Sequence, residues 1–164
     1  MLFIMLCMGS QAVAHAAYTC TVTSDVYIDE GQPYVNFGST DTTKRFKLLL
    51  SDSALQGRAR CLWTFDIPGE IAGSQIDNAT MYISSSHSSG TGSTGGSVIC
   101  YALNASFDDT TDTWYTLSGG DYDNSTGATG VLPPSNDWIA AIDVTTLLSG
   151  NFDKVRTYGM IMMF

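Results

Sequence analysis

Charge is scarce in this 164-residue sequence: 14% of its residues are Asp, Glu, Lys or Arg, and seven basic residues face sixteen acidic ones. A formal net charge of -9 argues against nucleic acid as a partner, because a phosphate backbone is gripped by clustered cations. Histidine is scarcer still, with His15 and His87 alone. His87 sits among Ser and Gly, a poor place to hold a base rigidly, so no nucleophilic triad is supported. None of the four cysteines, Cys7, Cys20, Cys61 and Cys100, stands at metal-ligand spacing from another, which removes a zinc signature. Phosphate loops and dinucleotide fingerprints are also missing. The one strongly apolar run, Met1 to Met8, falls short of the roughly 20 residues a spanning helix needs, so no membrane span is expected.

That opening run does fit an export signal. Residues 1–16 carry no Lys, Arg, Asp or Glu, and the small-residue stretch from Ala12 to Ala16 follows the apolar block as a cleavage site would. We read 1–16 as a secretory leader and 17–164 as a single domain, secreted or at the cell surface; a chain of this length buries about two thirds of its unfolded surface in one core. In an oxidising compartment Cys20, Cys61 and Cys100 allow one disulfide and one leftover thiol. Cys61 equally suits a small buried position, because it falls in an apolar alternation.

No long helical period occurs, and strand signals dominate. Tyr18, Cys20 and Val22 alternate with threonines, and Val26 to Ile28 extends the run. A polar loop with Pro33, Asn36 and Gly38 follows. Arg45 to Ser51 and Arg58 to Asp66 read as a hairpin, and further strands are expected at Ile76 to Ser84, Val98 to Leu103, Trp138 to Val144 and Val155 to Met163, with one helical turn at Thr145 to Ser149. Two connections are long. Ser84 to Ser97 is nearly all Ser, Gly and Thr, a composition with little to bury. Asn104 to Asp137 carries Trp114, Tyr115 and Tyr122, and loops of that length with large aromatics are packed and often functional. The expected fold is all-β, a jelly-roll-like β-sandwich of two antiparallel sheets.

Four segments in order carry a family resemblance. Asp25 to Ser39 (DVYIDEGQPYVNFGS), Arg60 to Pro68 (RCLWTFDIP), Ile76 to Ile83 (IDNATMYI) and Trp114 with Gly119 to Asp123 (GGDYD), closed by Ile142 to Leu147 (IDVTTL) with Tyr158 and Gly159, resemble the DNRLRE-type domains. These overlap carbohydrate-binding module family 96 and the disaggregatase-related repeats. The resemblance covers most of the chain beyond residue 17. It implies a jelly-roll sandwich of the kind attached to exported enzymes or surface proteins, some of which bind acidic polysaccharides such as alginate.

Spacing singles out the basic residues independently of any family. Lys44, Arg45, Lys47, Arg58 and Arg60 lie within seventeen positions, and residues two apart on a strand share a face. Arg45 and Lys47 then oppose Phe46 and Leu48, and Arg58 and Arg60 oppose Ala59, Cys61, Trp63 and Phe65. Paired as a hairpin, these runs put four cations on one water-facing surface; Lys154 and Arg156 repeat the spacing near the end. A solvated strand face with local ion pairs is the plainer account; a carboxylate-bearing glycan gripped by guanidinium groups is the functional one. Trp63, Phe65 and Trp138 belong to apolar alternations and are assigned to the core. Trp114, Tyr115, Tyr122 and Tyr158 are freer, and sugar faces stack on such rings. Asp121 and Asp123, at alternate positions, suit a structural calcium ion, while turn formation explains the same residues without a metal. Sequons at Asn78, Asn104 and Asn124 are available to a glycosylating host.

The sequence therefore points to a non-catalytic carbohydrate-binding domain for an acidic extracellular or cell-wall polysaccharide. Its ligand-binding candidates are Arg45, Lys47, Arg58, Arg60, Trp114, Tyr115, Tyr122, Arg156 and Tyr158. The alternatives are a structural or adhesive subunit of a surface layer or filament, self-associating through strand edges, and, more remotely, a polysaccharide-degrading enzyme using the acidic loop.

Overall fold

A computed structural model describes residues 18–38, 58–71, 76–85, 96–133 and 138–164. Strand β1 (Val22–Asp29) pairs with β2 (Ala59–Phe65), and β3 (Thr80–Ser85) with β6 (Trp138–Asp143). Between the last two in the chain come β4 (Gly96–Leu103) and β5 (Tyr122–Leu132), which pair with each other. Helix α1 (Thr145–Tyr158) and the short β7 (Met160–Met163) complete the order. All pairings are antiparallel and give a five-stranded sheet, β1-β2-β7-β4-β5, and a two-stranded sheet, β3-β6. The fold is thus mainly β, as the short alternating runs require.

Alternation divides each strand between two environments. On β2, Cys61 and Trp63 face a core that Val98, Cys100 and Ala102 of β4, Met160 and Met162 of β7, Ile83, Ala140 and Ile142 of the smaller sheet, and Leu147 and Val155 of α1 also enter. Leu62 faces the other way, into a second cluster with Val26, Ile28, Leu103 and Ile161. Trp114, Leu117 and Tyr122 cover that second cluster, so both faces of the central strands are buried. Each fully buried Leu, Ile or Met contributes about 1.5–3 kcal/mol relative to exposure. Cys61 and Cys100 flank Met162 across neighbouring strands as small buried residues. Cys20, Cys61 and Cys100 are all free thiols; burial pushes Cys61 upward and Cys100 up to about 12.

The structure corrects two expectations. The connection from Asn104 to Asp137 contains β5, eleven residues long. Its apolar signal is faint because close neighbours demand small residues: a Cβ at Gly127 would lie 2.6 Å from Tyr101, and one at Gly130 2.5 Å from Ile142. Residues 155 to 158 are helical, and strand begins only at Met160. The buried set Leu147, Asn151, Phe152 and Val155 follows helical spacing, which the continuous apolar run beyond Gly159 obscures. A non-helical Asn151 interrupts α1, and the helix ends at Gly159, whose φ of 94° and backbone approach to Trp63 leave no room for a side chain. The first half of the expected 45–51/58–66 hairpin lies outside the described residues.

Candidate functional site

Two loops meet over the outer face of β1 and β2. One runs from Asp29 at the end of β1 through Gly38; the other leaves β4 and occupies residues 104–121. Polar contacts fasten them together, Tyr115 N–H donating to the Pro33 carbonyl at 2.8 Å and Asn36 Nδ2 to the Asp112 carbonyl at 2.6 Å, while Ser24 Oγ of β1 ties the second loop to the sheet through Asp109 Oδ2 at 2.7 Å. Gly38 passes so close to Asp109 that a Cβ there would sit 1.8 Å from its carbonyl oxygen. Buried Asp29 closes the first loop by accepting the Gly31 N–H at 2.8 Å. Asp108 does the same for the second, accepting from Thr110 N and Oγ1, bonds that hold its carboxyl below the usual range.

This clamp presents Tyr34 and Tyr115 side by side. The two residues are 74% and 64% exposed, and their ring centroids are 5.0 Å apart with the planes tilted by 41°. Two large aromatics exposed next to each other form a contiguous amphipathic patch, apolar on the rings and polar at the hydroxyls. Beneath Tyr115 its neighbour Trp114 is half-buried, with the Arg60 guanidinium carbon 5.0 Å from its ring centroid and that of Arg58 at 5.7 Å. Arg60 also lies 5.5 Å from the Tyr122 ring, which stacks on Tyr101 at 5.2 Å.

The two described cations of the expected basic surface are therefore both engaged. Arg58 is exposed and grips Glu30 bidentately, Nε to Oε2 and Nη2 to Oε1, each at 3.0 Å. Those bonds lower the Glu30 carboxyl and raise the Arg58 guanidinium. Arg60 does not face open water, which corrects the sequence expectation: the 104–121 loop folds over it, and its Nη1 donates to the Gly119 carbonyl. Burial lowers its pKa from the ordinary arginine value. Alternation fixed the shared face of Arg58 and Arg60, while the covering loop is a long-range packing choice that spacing does not encode. Arg45 and Lys47 lie outside the described residues.

The remaining candidates disperse. Tyr122 and Tyr158 are half-buried with the second cluster. Arg156 belongs to the last turn of α1 and lies against Gly69. Asp121 Oδ1 accepts from Asn104 Nδ2 at 3.1 Å. Asp123 takes the Lys154 ammonium on one oxygen and the Ser125 N–H, at 3.0 Å, on the other. Among the described residues no three His, Cys, Asp or Glu side chains form a metal-holding group. Tyr34 and Glu30 were missed by sequence reading: Tyr34 sits in what looks like an ordinary polar turn after Pro33, and only its size and place between Pro33 and Gly38 hint at a role. Comparison of the chain with family models, curated proteins and solved structures finds no match.

Proposed function

We propose that this protein is a non-catalytic binding domain for an extracellular polysaccharide, docking it on the Tyr34–Tyr115 platform. The observation that carries the reading is the pair itself: two largely exposed rings in contact, held by a backbone hydrogen bond between two loops. Each ring offers an apolar face to a sugar and a hydroxyl at its edge, and being prearranged the pair loses little freedom on binding. Arg60, against the ring of Trp114, anchors the loop that carries Tyr115. The resemblance to DNRLRE-type domains supports the same function, and the jelly-roll connection of the strands and export to the cell surface belong to this reading. An acidic glycan is favoured by the sequence cluster Lys44, Arg45 and Lys47, since Arg58 is satisfied by Glu30. A glycan array read at several salt concentrations tests the proposal. Binding lost in Tyr34→Ala and Tyr115→Ala variants is expected, and salt sensitivity lost in a Lys44, Arg45 and Lys47 to Ala variant is expected for an acidic ligand. Concentration-dependent polymerisation without glycan binding would favour a filament subunit, and release of reducing or unsaturated ends an enzyme.

A further inference from the structure

We propose that Asn124 is the acceptor of an N-linked oligosaccharide attached during export; this rests on the export part of the reading above and not on the Tyr34–Tyr115 platform. Three Asn-X-Ser/Thr sequences occur, at Asn78, Asn104 and Asn124, and the fold treats them differently. The pairing of β4 with β5 passes from Leu103 with Tyr122 and Ala102 with Asp123 directly to Tyr101 with Gly127, so residues 124–126 have no partner on β4. The whole acceptor sequence Asn124-Ser125-Thr126 is thus a bulge on β5. Asn124 and Ser125 are exposed, and Thr126 is half-buried. The other two sequences are built into junctions. Asn104 donates its side-chain amide to Asp121 Oδ1 at 3.1 Å and its backbone N–H to the Asp121 carbonyl at 3.0 Å. Ala79, between Asn78 and Thr80, donates its N–H to Thr145 Oγ1 at 2.9 Å, and Thr80 opens β3 opposite Asp143.

The bulge is anchored at its base. Asp123 accepts the Ser125 N–H at 3.0 Å on one oxygen and the Lys154 ammonium on the other, which ties this end of β5 to α1. Thr126 lies beside Gly150 of α1, where a Cβ would meet its Cγ2 at 3.8 Å, so the exposed Asn124 and Ser125 are the projecting part. A bulky hydrated substituent on Asn124 therefore displaces no hydrogen bond of the β4–β5 ladder. Among the described residues β5 is an edge of the five-stranded sheet, and residues 124–132 carry no charge. Edge strands invite pairing with another chain, and an oligosaccharide there opposes it as charged side chains do on other edges. In the transfer, the bond between sugar C1 and the oxygen of a lipid-linked diphosphate breaks and C1 bonds to Asn124 Nδ2. The lipid diphosphate leaves with the electron pair, and Nδ2 gives up one proton. Thr126 supplies the hydroxyl by which the host transferase recognises the acceptor.

The test is expression of the full chain in a eukaryotic secretory host, once relying on residues 1–16 for export and once behind a signal of the host. Protein recovered from the secretory compartment or the medium is treated to release N-linked sugars, which turns a modified Asn into Asp, and its peptides are mapped by mass. Conversion at Asn124 is expected. Asn124→Gln and Thr126→Ala should each lower the intact mass by one oligosaccharide, and Thr126→Ser should keep it. Unmodified Asn124 in protein that has entered the secretory compartment overturns the inference. Modification of Asn124 behind the host signal alone sustains the site and overturns only the export reading.

Discussion

Arg60 lies against Trp114, its guanidinium carbon 5.0 Å from the ring centroid, and this contact pins the 104–121 loop to the sheet. The arginine comes from the start of β2, a largely buried strand, whereas the tryptophan comes from a turn-rich segment with no strand of its own. The contact makes the loop an extension of the sheet. Because Tyr115 follows Trp114 directly, it also restrains the backbone that carries the outer ring.

Replacing Arg60 with Met keeps the apolar stem and removes the cation and its bond to Gly119. A cation over rings in a partly desolvated site contributes about 1–2 kcal/mol. The expected result is a melting temperature lower by about 2–6 °C for a domain of this size, with an altered tryptophan fluorescence signal, measured by thermal denaturation.

Gly38 offers a sharper test of the clamp. An Ala there places its Cβ 1.8 Å from a backbone oxygen, which no side-chain rotation relieves, so the two loops must separate at a cost of about 1–3 kcal/mol. Gly38→Ala is expected to weaken glycan binding as much as loss of Tyr115 does. Gly69→Ala is the control: its new methyl meets only the flexible end of Arg156, at 3.3 Å, and binding stays at the wild-type level.

Most of the strand framework was legible in the sequence, because alternation is a local property that records which face is buried. Trp63 and Phe65 were assigned to the core; Trp63 is buried, and Phe65 is half-buried against the same cluster, while the Trp138 side chain lies outside the described residues. Strand β5 was illegible because tight packing against Tyr101 and Ile142 replaced apolar side chains with glycines. The helix was misread beyond Ser149 because its buried face at Leu147, Phe152 and Val155 merges with the apolar run of β7. For the site, Trp114 and Tyr115 were named from composition. Arg60 was named from its spacing with Arg58, but its place under the loop, like the pairing of Tyr34 with Tyr115 and of Glu30 with Arg58, comes from contacts between segments far apart in the chain, which no local pattern carries.

Glu30 is a built-in competitor for Arg58. Its carboxylate already occupies the bidentate donor pair that a uronate would use. Glu30→Gln removes that charge, and affinity for polygalacturonate is expected to rise about threefold to tenfold, in keeping with a surface ion pair of about 1 kcal/mol. Binding to a neutral glucan should not change, and isothermal titration calorimetry distinguishes the two.

Acid should loosen the link between α1 and β5. The Lys154 ammonium, with the Ser125 N–H, holds the Asp123 carboxyl well below the ordinary carboxylate range. A carboxyl with a depressed folded-state pKa adds stability that is present above its unfolded value, about 4, and is lost as pH falls toward the folded value. Glu30, Asp108 and Asp143 are shifted in the same direction. The melting temperature is therefore expected to fall below about pH 4. Asp123→Asn lowers it at neutral pH and makes the acid decline shallower, as a melting series across pH shows.

The central claim is that Tyr34 and Tyr115 hold the ligand, and affinity electrophoresis through gels containing the polysaccharide chosen by the glycan array tests it most directly. Wild-type protein should be retarded, and the Tyr34→Ala/Tyr115→Ala double variant should run freely while melting within about 2 °C of wild type, as exposed positions allow. Undiminished retardation of a folded double variant would contradict the account.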